Sequence, residues 1–404
     1  MRASTRVWSV AALVALGAAG AASAQVPPPT PHPPSSGVLK APQPAAGGTS
    51  IKLTGSGATP GQPVSAEIRI RGRWRRAGTR TTTTATGRLR LRIRAPFKPR
   101  RYRLRATVTG AAPTRAVRVR VRDVTLDAVG DINLGNGVAH VMAVRGPRYS
   151  WSGVARELRS ADIAFGNLEC AVSTRGYAIP GKQYTFRGRP SYLRAVSRYA
   201  GMDVLNLTNN HSGDYGVAAL QDTFRWIKRF GMTRVGAGWN SAEARRPRVI
   251  RRLGLRVAFV GFSDINPAGF GAGPSSPGTV LADPGVVQAD VRRAKRRADV
   301  VIATFHWGVE RSTSPDSRQV LLAQTALGAG ASAVIGAHPH VLQPVVRRGR
   351  RVVAYSLGNF VWSAGSGFTA RTGILKLRLS ARGVTRWRLL PALISDTRPA
   401  LLRR

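Results

Sequence analysis

Two hydrophobic rhythms divide the chain. Between about residues 48 and 122, apolar and polar positions alternate with a period of two. Leu89-Arg-Leu-Arg-Ile-Arg, Tyr102-Arg-Leu-Arg-Ala-Thr-Val and Val117-Arg-Val-Arg-Val-Arg show it, and Ser65-Ala-Glu-Ile-Arg-Ile-Arg keeps it more loosely. Successive side chains on a strand point to opposite faces. This alternation therefore predicts antiparallel strands with one face on a core and one in water. Pro60-Gly61 and Thr109-Gly110 mark turns. About six or seven short strands in this span predict a small all-β sandwich of immunoglobulin-like type. Its outer face is dense in arginine, either a plain solvated surface or a contact for an anionic wall or polymer.

From residue 123 to 404 the rhythm changes. Continuous apolar runs alternate with helix-like stretches, which predicts an α/β layered domain. The runs are Val124-Thr-Leu-Asp-Ala-Val, Ala161-Asp-Ile-Ala-Phe, Val204-Leu-Asn-Leu, Val257-Ala-Phe-Val, Val300-Val-Ile-Ala-Thr, Ala333-Val-Ile and Val352-Val-Ala-Tyr-Ser. Helices are expected at about 191–200, 216–230, 286–298 and 317–329.

The chemistry sits at the carboxyl ends of these runs. In chain order the ends carry Gly130-Asp131-Ile132-Asn133, Gly166-Asn167-Leu168-Glu169, Asn209-Asn210-His211, no assignable group, His306-Trp307-Gly308, His338-Pro339-His340 and Leu357-Gly358-Asn359-Phe360. Ligands of layered α/β folds bind beyond the carboxyl ends of the strands, so these groups are expected on one rim. In an extended backbone, residues i and i+2 face the same side, so the His338 and His340 rings are expected to reach one point.

Composition sharpens this reading. The chain has 404 residues, and its six histidines include four at these strand ends. Histidine with carboxylate, and no thiolate cluster, suits divalent transition metals, here Mn, Fe or Zn. Two such ions about 3.5–4 Å apart, sharing a carboxylate, clamp the oxygens of a displacement at phosphorus. A histidine that is not a ligand supplies the acid for the leaving group. The single cysteine, Cys170, excludes an intramolecular disulfide and is expected to be a small buried residue.

Lys and Arg number 63 against 18 Asp and Glu, a formal charge of +45. Such a field attracts polyanions. The basic residues are spread along the chain and no nucleic-acid-binding motif accompanies them, so a specific nucleic-acid partner is not expected. No Gly-rich phosphate loop is present.

Residues 1–24 read as an export signal, with Arg2 and Arg6, an apolar run from Val7 to Gly20, and Ala22-Ser23-Ala24 before the cut. The protein is thus expected to be secreted or held in the cell envelope, with membrane contact only if the signal stays uncleaved. Residues 25–47 are rich in proline and are expected to form a semi-rigid spacer.

The ordered set Gly130-Asp131, Gly166-Asn167-Leu168-Glu169, Asn209-Asn210-His211, His306-Trp307-Gly308, Gly336-Ala337-His338-Pro339-His340 and Ser356-Leu357-Gly358-Asn359-Phe360 resembles the bacterial capsule-synthesis CapA family, over about residues 124–395. That family is tied to poly-γ-glutamate capsule synthesis and export. It is similar to the calcineurin-like metallophosphoesterases, which implies a four-layer sandwich of two mixed sheets flanked by helices. The resemblance implies metal ligands at Asp131, Glu169 (as the bridge), Asn210, His306, His338 and His340, with His211 as general acid. It departs at Asn133, which stands where a ligand histidine would be, and at Asn167.

Glu310 is expected to border the substrate cleft, Trp307 either to border it or to pack in the core, and Asn359 to hold a ligand histidine. Arg187 and Arg189 are candidates for holding an anionic substrate, and His140 is read as a helix-surface residue. Two functions fit. One is an exported metal-dependent hydrolase in which metal hydroxide attacks a phosphoester or an anionic polymer. The other is a non-catalytic envelope protein that binds or guides such a polymer.

Overall fold

The computed structural model describes residues 39–363 and 367–402. The expected signal and residues 25–38 of the spacer lie outside them. No helix among the described residues is long and apolar enough to cross a membrane.

Alternation builds the first module. A five-stranded sheet runs in the order Ala45–Ala46, Val117–Arg122, Arg100–Val108, Pro63–Ile70, Arg73–Thr82, and a second pair joins Ser50–Gly55 to Leu89–Arg94. In Leu89–Arg94 every leucine and isoleucine is buried and every arginine exposed. Ile51, Leu53, Leu91 and Ile93 of the pair share one core with Val64, Leu104, Ala106 and Val119 of the larger sheet. Leu39 and Ala45, within the stretch expected to be a spacer, also belong to this core. Ala45–Ala46 pairs in parallel with Val121–Arg122.

The rest is a mixed α/β arrangement around two larger sheets. One has eight strands. Thr233–Val235, Val204–Asn206, Ile163–Leu168 and Val124–Ile132 lie parallel, and antiparallel Arg371–Ser380, Gly383–Ser395 and Arg398–Leu401 extend them. Asn359–Val361 pairs with the end of Val124–Ile132. The other sheet runs Arg248–Arg252, Leu255–Ser263, Val300–His306, Ala333–Ala337, Arg351–Ala354, Val345–Arg348, its central four strands parallel. The C-terminal hairpin Arg371–Ser395 is an addition to the expected strands, although Ile374-Leu-Lys-Leu-Arg-Leu alternates.

The two sheets share a core. Leu126, Phe165, Val204 and Leu377 of the first pack with Val257, Phe259, Ile302 and Ile335 of the second. Phe165 and Phe259 stack across it at 5.7 Å. Helices cover the outer faces. Gly216–Arg229 buries Leu220, Phe224 and Ile227 against Leu205 and Leu207. Pro284–Arg297 and Ser317–Ala329 bury Val287, Val291, Leu322 and Ala326 against Ala303, Phe305 and Val334. The helix expected at 191–200 is present, opening as a 3-10 helix, Pro190–Tyr192, and closing as a π-helix, Ala195–Tyr199.

The β module is tied to this body. Arg122 forms a two-pronged bond to Asp162 at 2.6 and 2.7 Å, and Ala46 N donates to Leu253 O. Removing the Phe259 ring leaves a cavity where the sheets meet. Phe259→Ala is expected to cost about 3–5 kcal/mol in urea unfolding; a loss below about 1 kcal/mol would show that the two sheets do not depend on this contact.

Candidate metal centre

The helix Ser317–Ala329 sets the strand after it. Asp316 caps it, accepting from Gln319 N while the Gln319 side chain accepts from Asp316 N, and Gly330 closes it at φ 113°. The strand Ala333–Ala337 then runs in register with Val300–His306, placing Ala337 beside His306. Gly336 permits the approach: a Cβ there would sit 1.9 Å from Tyr355 O. On the other sheet Gly130 does the same against Gly358 O, at 1.8 Å, just before Asp131.

Past Ala337 the backbone does not stay extended. His338 has φ 99° and His340 φ 57°, so the expectation of two rings on one side of an extended segment is corrected. The turn, not strand geometry, brings the rings to 5.9 Å. A non-glycine residue in this region stores on the order of 1–3 kcal/mol, a cost typical of functional sites. Several bonds hold it. His338 N donates to Asp131 Oδ2 at 3.4 Å, Arg311 N to Pro339 O at 2.8 Å, and His340 Nδ1 contacts Asn359 Oδ1 at 2.9 Å.

The carboxyl ends of both sheets meet here. Asn359, Asp131, Asn167 and Asn206 are successive partners across the first sheet. Asn167 is the hub. Its amide nitrogen donates to Asp131 Oδ1 at 2.9 Å and Glu169 Oε2 at 3.4 Å, and its oxygen accepts from Asn206 and Asn209. Around Glu169 Oε1 stand His306 Nε2 at 3.5 Å, His340 Nε2 at 3.9 Å and His211 Nε2 at 4.0 Å. His306 Nε2 also meets Asn210 Oδ1 at 2.7 Å and His338 Nδ1 at 3.1 Å, and His340 Nδ1 lies 3.2 Å from Asp131 Oδ2.

Asp131, Glu169 and His306 each offer a ligand atom within 4.8 Å of the others, as do Glu169, His338 and His340. Glu169 is common to both groups. Its Oε1 is fully buried and accepts no hydrogen bond, although such oxygens normally find a partner. Burial, and then the charges of Asp131, Glu310 and Asp214, hold the Glu169 carboxyl well above its usual range. Burial and the neighbouring histidines keep His306 well below its ordinary value and His338 at about 4, so both rest as neutral imidazoles, the form that binds metal. Burial also pulls His340 down, but the bond and charge of Asp131 outweigh it and the ring lies above its ordinary value. An acceptor oxygen without a donor, beside the neutral imidazoles of His306 and His338, fits a divalent cation.

His211 is set differently. Its Nδ1 bonds Asp214 Oδ2 at 2.7 Å, its ring packs 4.2 Å from that of Phe186, and Nε2 faces Glu169. Lys182 bonds Asp214 and the Asn210 carbonyl. Burial outweighs Asp214 and holds His211 below its ordinary value. Asp214, Lys182, Phe186 and Trp362, whose ring lies 4.6 Å from His340, are not among the residues expected from sequence. Only Asp214, three residues after His211, carries a local signal.

Other expected residues fall elsewhere. Trp307 does not border a cleft: it is fully buried, stacks on Phe305 at 4.3 Å and donates from Nε1 to Tyr355 O. Asn133 is buried and its oxygen accepts from Gly135 N. Glu310 sits on an exposed turn and acts on Glu169 and His340 through its charge. Arg187 lies over the Tyr215 ring and donates to Gly176 O, while Arg189 is exposed. His140 is exposed on Asn136–Arg145, and Cys170 is fully buried.

Residues 125–364, which hold every member of this cluster, match the family described as bacterial capsule synthesis protein PGA_cap. The chain belongs to that family. Among its relatives, the PGA biosynthesis protein CapA of Bacillus subtilis is 32% identical over 294 residues, 72% of this chain and 77% of that protein. The capsule biosynthesis protein CapA of Bacillus anthracis is 33% identical over 282 residues, 68% of each. A probable polyglutamine synthesis accessory protein of Mycobacterium tuberculosis is 28% identical over 228 residues, 53% of this chain and 60% of that protein.

A buried carboxylate with an unbonded oxygen destabilises the fold unless a cation compensates it. Glu169→Gln is therefore expected to stabilise the chelator-treated protein by about 1–3 kcal/mol in urea unfolding. Unchanged or reduced stability would show that Glu169 is not under that strain.

Proposed function

We propose that the chain acts in the assembly or export of an anionic capsule polymer, and that it does so with a divalent-metal hydrolase site. The observation that carries this reading is Glu169 Oε1, unbonded and ringed by three histidines. Family membership and the two CapA relatives support the capsule role. The shared core of two mixed sheets with helices outside supports a metallophosphoesterase-type sandwich. Two sheets around one core support an immunoglobulin-like assignment for the β module.

In this reading Asp131, Glu169, Asn210, His306, His338 and His340 would hold the ions. Bound ions supply Lewis-acid polarisation of a phosphoryl or acyl oxygen. The remaining chemistry belongs to the chain. Asp214 holds Nδ1 of His211, which leaves Nε2 as the exchangeable position towards the site. Burial favours the uncharged ring, so Nε2 takes up a proton before it delivers one to the leaving oxygen. Lys182 offsets the Asp214 charge and fixes the Asn210 carbonyl. An exported chain would meet its polymer outside the cytoplasm, among cell-envelope components.

One observation favours the non-catalytic alternative. Asn133, where a ligand histidine would stand, is spent on a turn, which leaves one ion with fewer donors. Hydrolysis of an aryl phosphodiester with added Mn²⁺ separates the two. Wild type is expected to turn it over. His211→Ala is expected to keep its metal and lose about 10²-fold or more in kcat, the share of a general acid. His338→Ala is expected to lose metal and turnover together. Metal retained in all three proteins without turnover in any would leave the binding role standing.

A further inference from the structure

A cavity of about 580 Å³ lies on the outer side of the first sheet, lined by Arg148, Arg159, Arg194, Arg198, Tyr199 and Ser191 with Pro147 and Ala195. It shares no lining residue with the histidine cluster. Four exposed arginines line one concavity that no carboxylate lines. Acidic residues near in sequence are engaged elsewhere: Glu157 by Lys376, Asp162 by Arg122 and Asp203 by Arg252. None of the four arginines forms an ion pair among the described residues.

The group is also positioned. Arg148 and Arg159 both lie over the Tyr199 ring, each 5.5 Å from its centre. Arg159 bonds the Tyr199 carbonyl, and its stem passes over Gly201, where a Cβ would stand 2.8 Å from Arg159 Cγ. Planar guanidinium groups held on an aromatic face bind phosphate and carboxylate oxygens in pairs. Like charges gathered this closely repel one another until an anion joins them.

We propose that this cavity is a binding site for a multivalent anion, a ligand carrying two or more phosphate or carboxylate groups. The site is independent of the metal centre and of any catalytic reading.

Calorimetric titration of the metal-free protein tests it, with inorganic tripolyphosphate and with citrate as probes, at about 0.15 M salt where diffuse surface attraction is screened. At least one probe is expected to bind at a single saturable site. Binding of tripolyphosphate alone assigns a phosphate ligand, and of citrate alone a carboxylate ligand. The double substitution Arg148→Gln and Arg194→Gln is expected to weaken that binding by roughly tenfold or more. Arg76→Gln with Arg80→Gln, exposed on the β module, removes the same charge and is expected to leave it unchanged. Equal weakening by both pairs, or no saturable binding of either probe, would overturn the proposal. Far-ultraviolet circular dichroism of each variant shows whether a loss comes from the site or from unfolding.

Discussion

One buried oxygen organises this molecule. Glu169 Oε1 sits at the carboxyl ends of two sheets, where four parallel strands of one meet four of the other. Placing a carboxylate there without a donor is costly, and burial, with the charge of Asp131 after it, drives its proton affinity up. The surroundings are arranged around that cost. Gly130 and Gly336 let neighbouring backbones approach more closely than any side chain would allow. His338 and His340 accept left-handed backbone so that their rings turn inward. Asn167 ties Asp131 and Glu169 to the asparagines of the next strand.

Charge is partitioned in the same spirit. Arginine dominates the surface, and most carboxylates serve as its partners or cap helices. Asp131 and Glu169 are exceptions that face histidines instead. The centre is therefore locally acidic within a strongly basic protein, which concentrates cations at the site and polyanions around it. The arginine cavity beside Tyr199 is the converse, a basic concavity with no carboxylate.

Much of the site was legible because strand ends carry it. A strand of known direction delivers the residue after it to the rim, so Asp131, Glu169, His306 and His338 could be placed by counting. The β module was legible through Arg alternation. What escaped depends on contacts that no spacing encodes. Phe186 and Lys182 reach His211 from a loop some 25–29 positions earlier, and Trp362 returns from a later strand. Trp307 could be read either way, because adjacency to His306 points to the cleft while strand alternation turns it to the opposite face, into the helix-covered core where it lies. The start of the β module was hidden by proline: Leu39 and Ala45 flank Pro42 and Pro44, yet both are core residues.

Metal stoichiometry of the purified protein, by mass spectrometry after equilibration with Mn²⁺, probes the role of this oxygen most directly. About two ions per chain are expected, falling sharply in Glu169→Gln because the shared ligand is lost. A chain that binds no ion, or binds equally well without the Glu169 carboxylate, would contradict the claim that this oxygen is held for a metal.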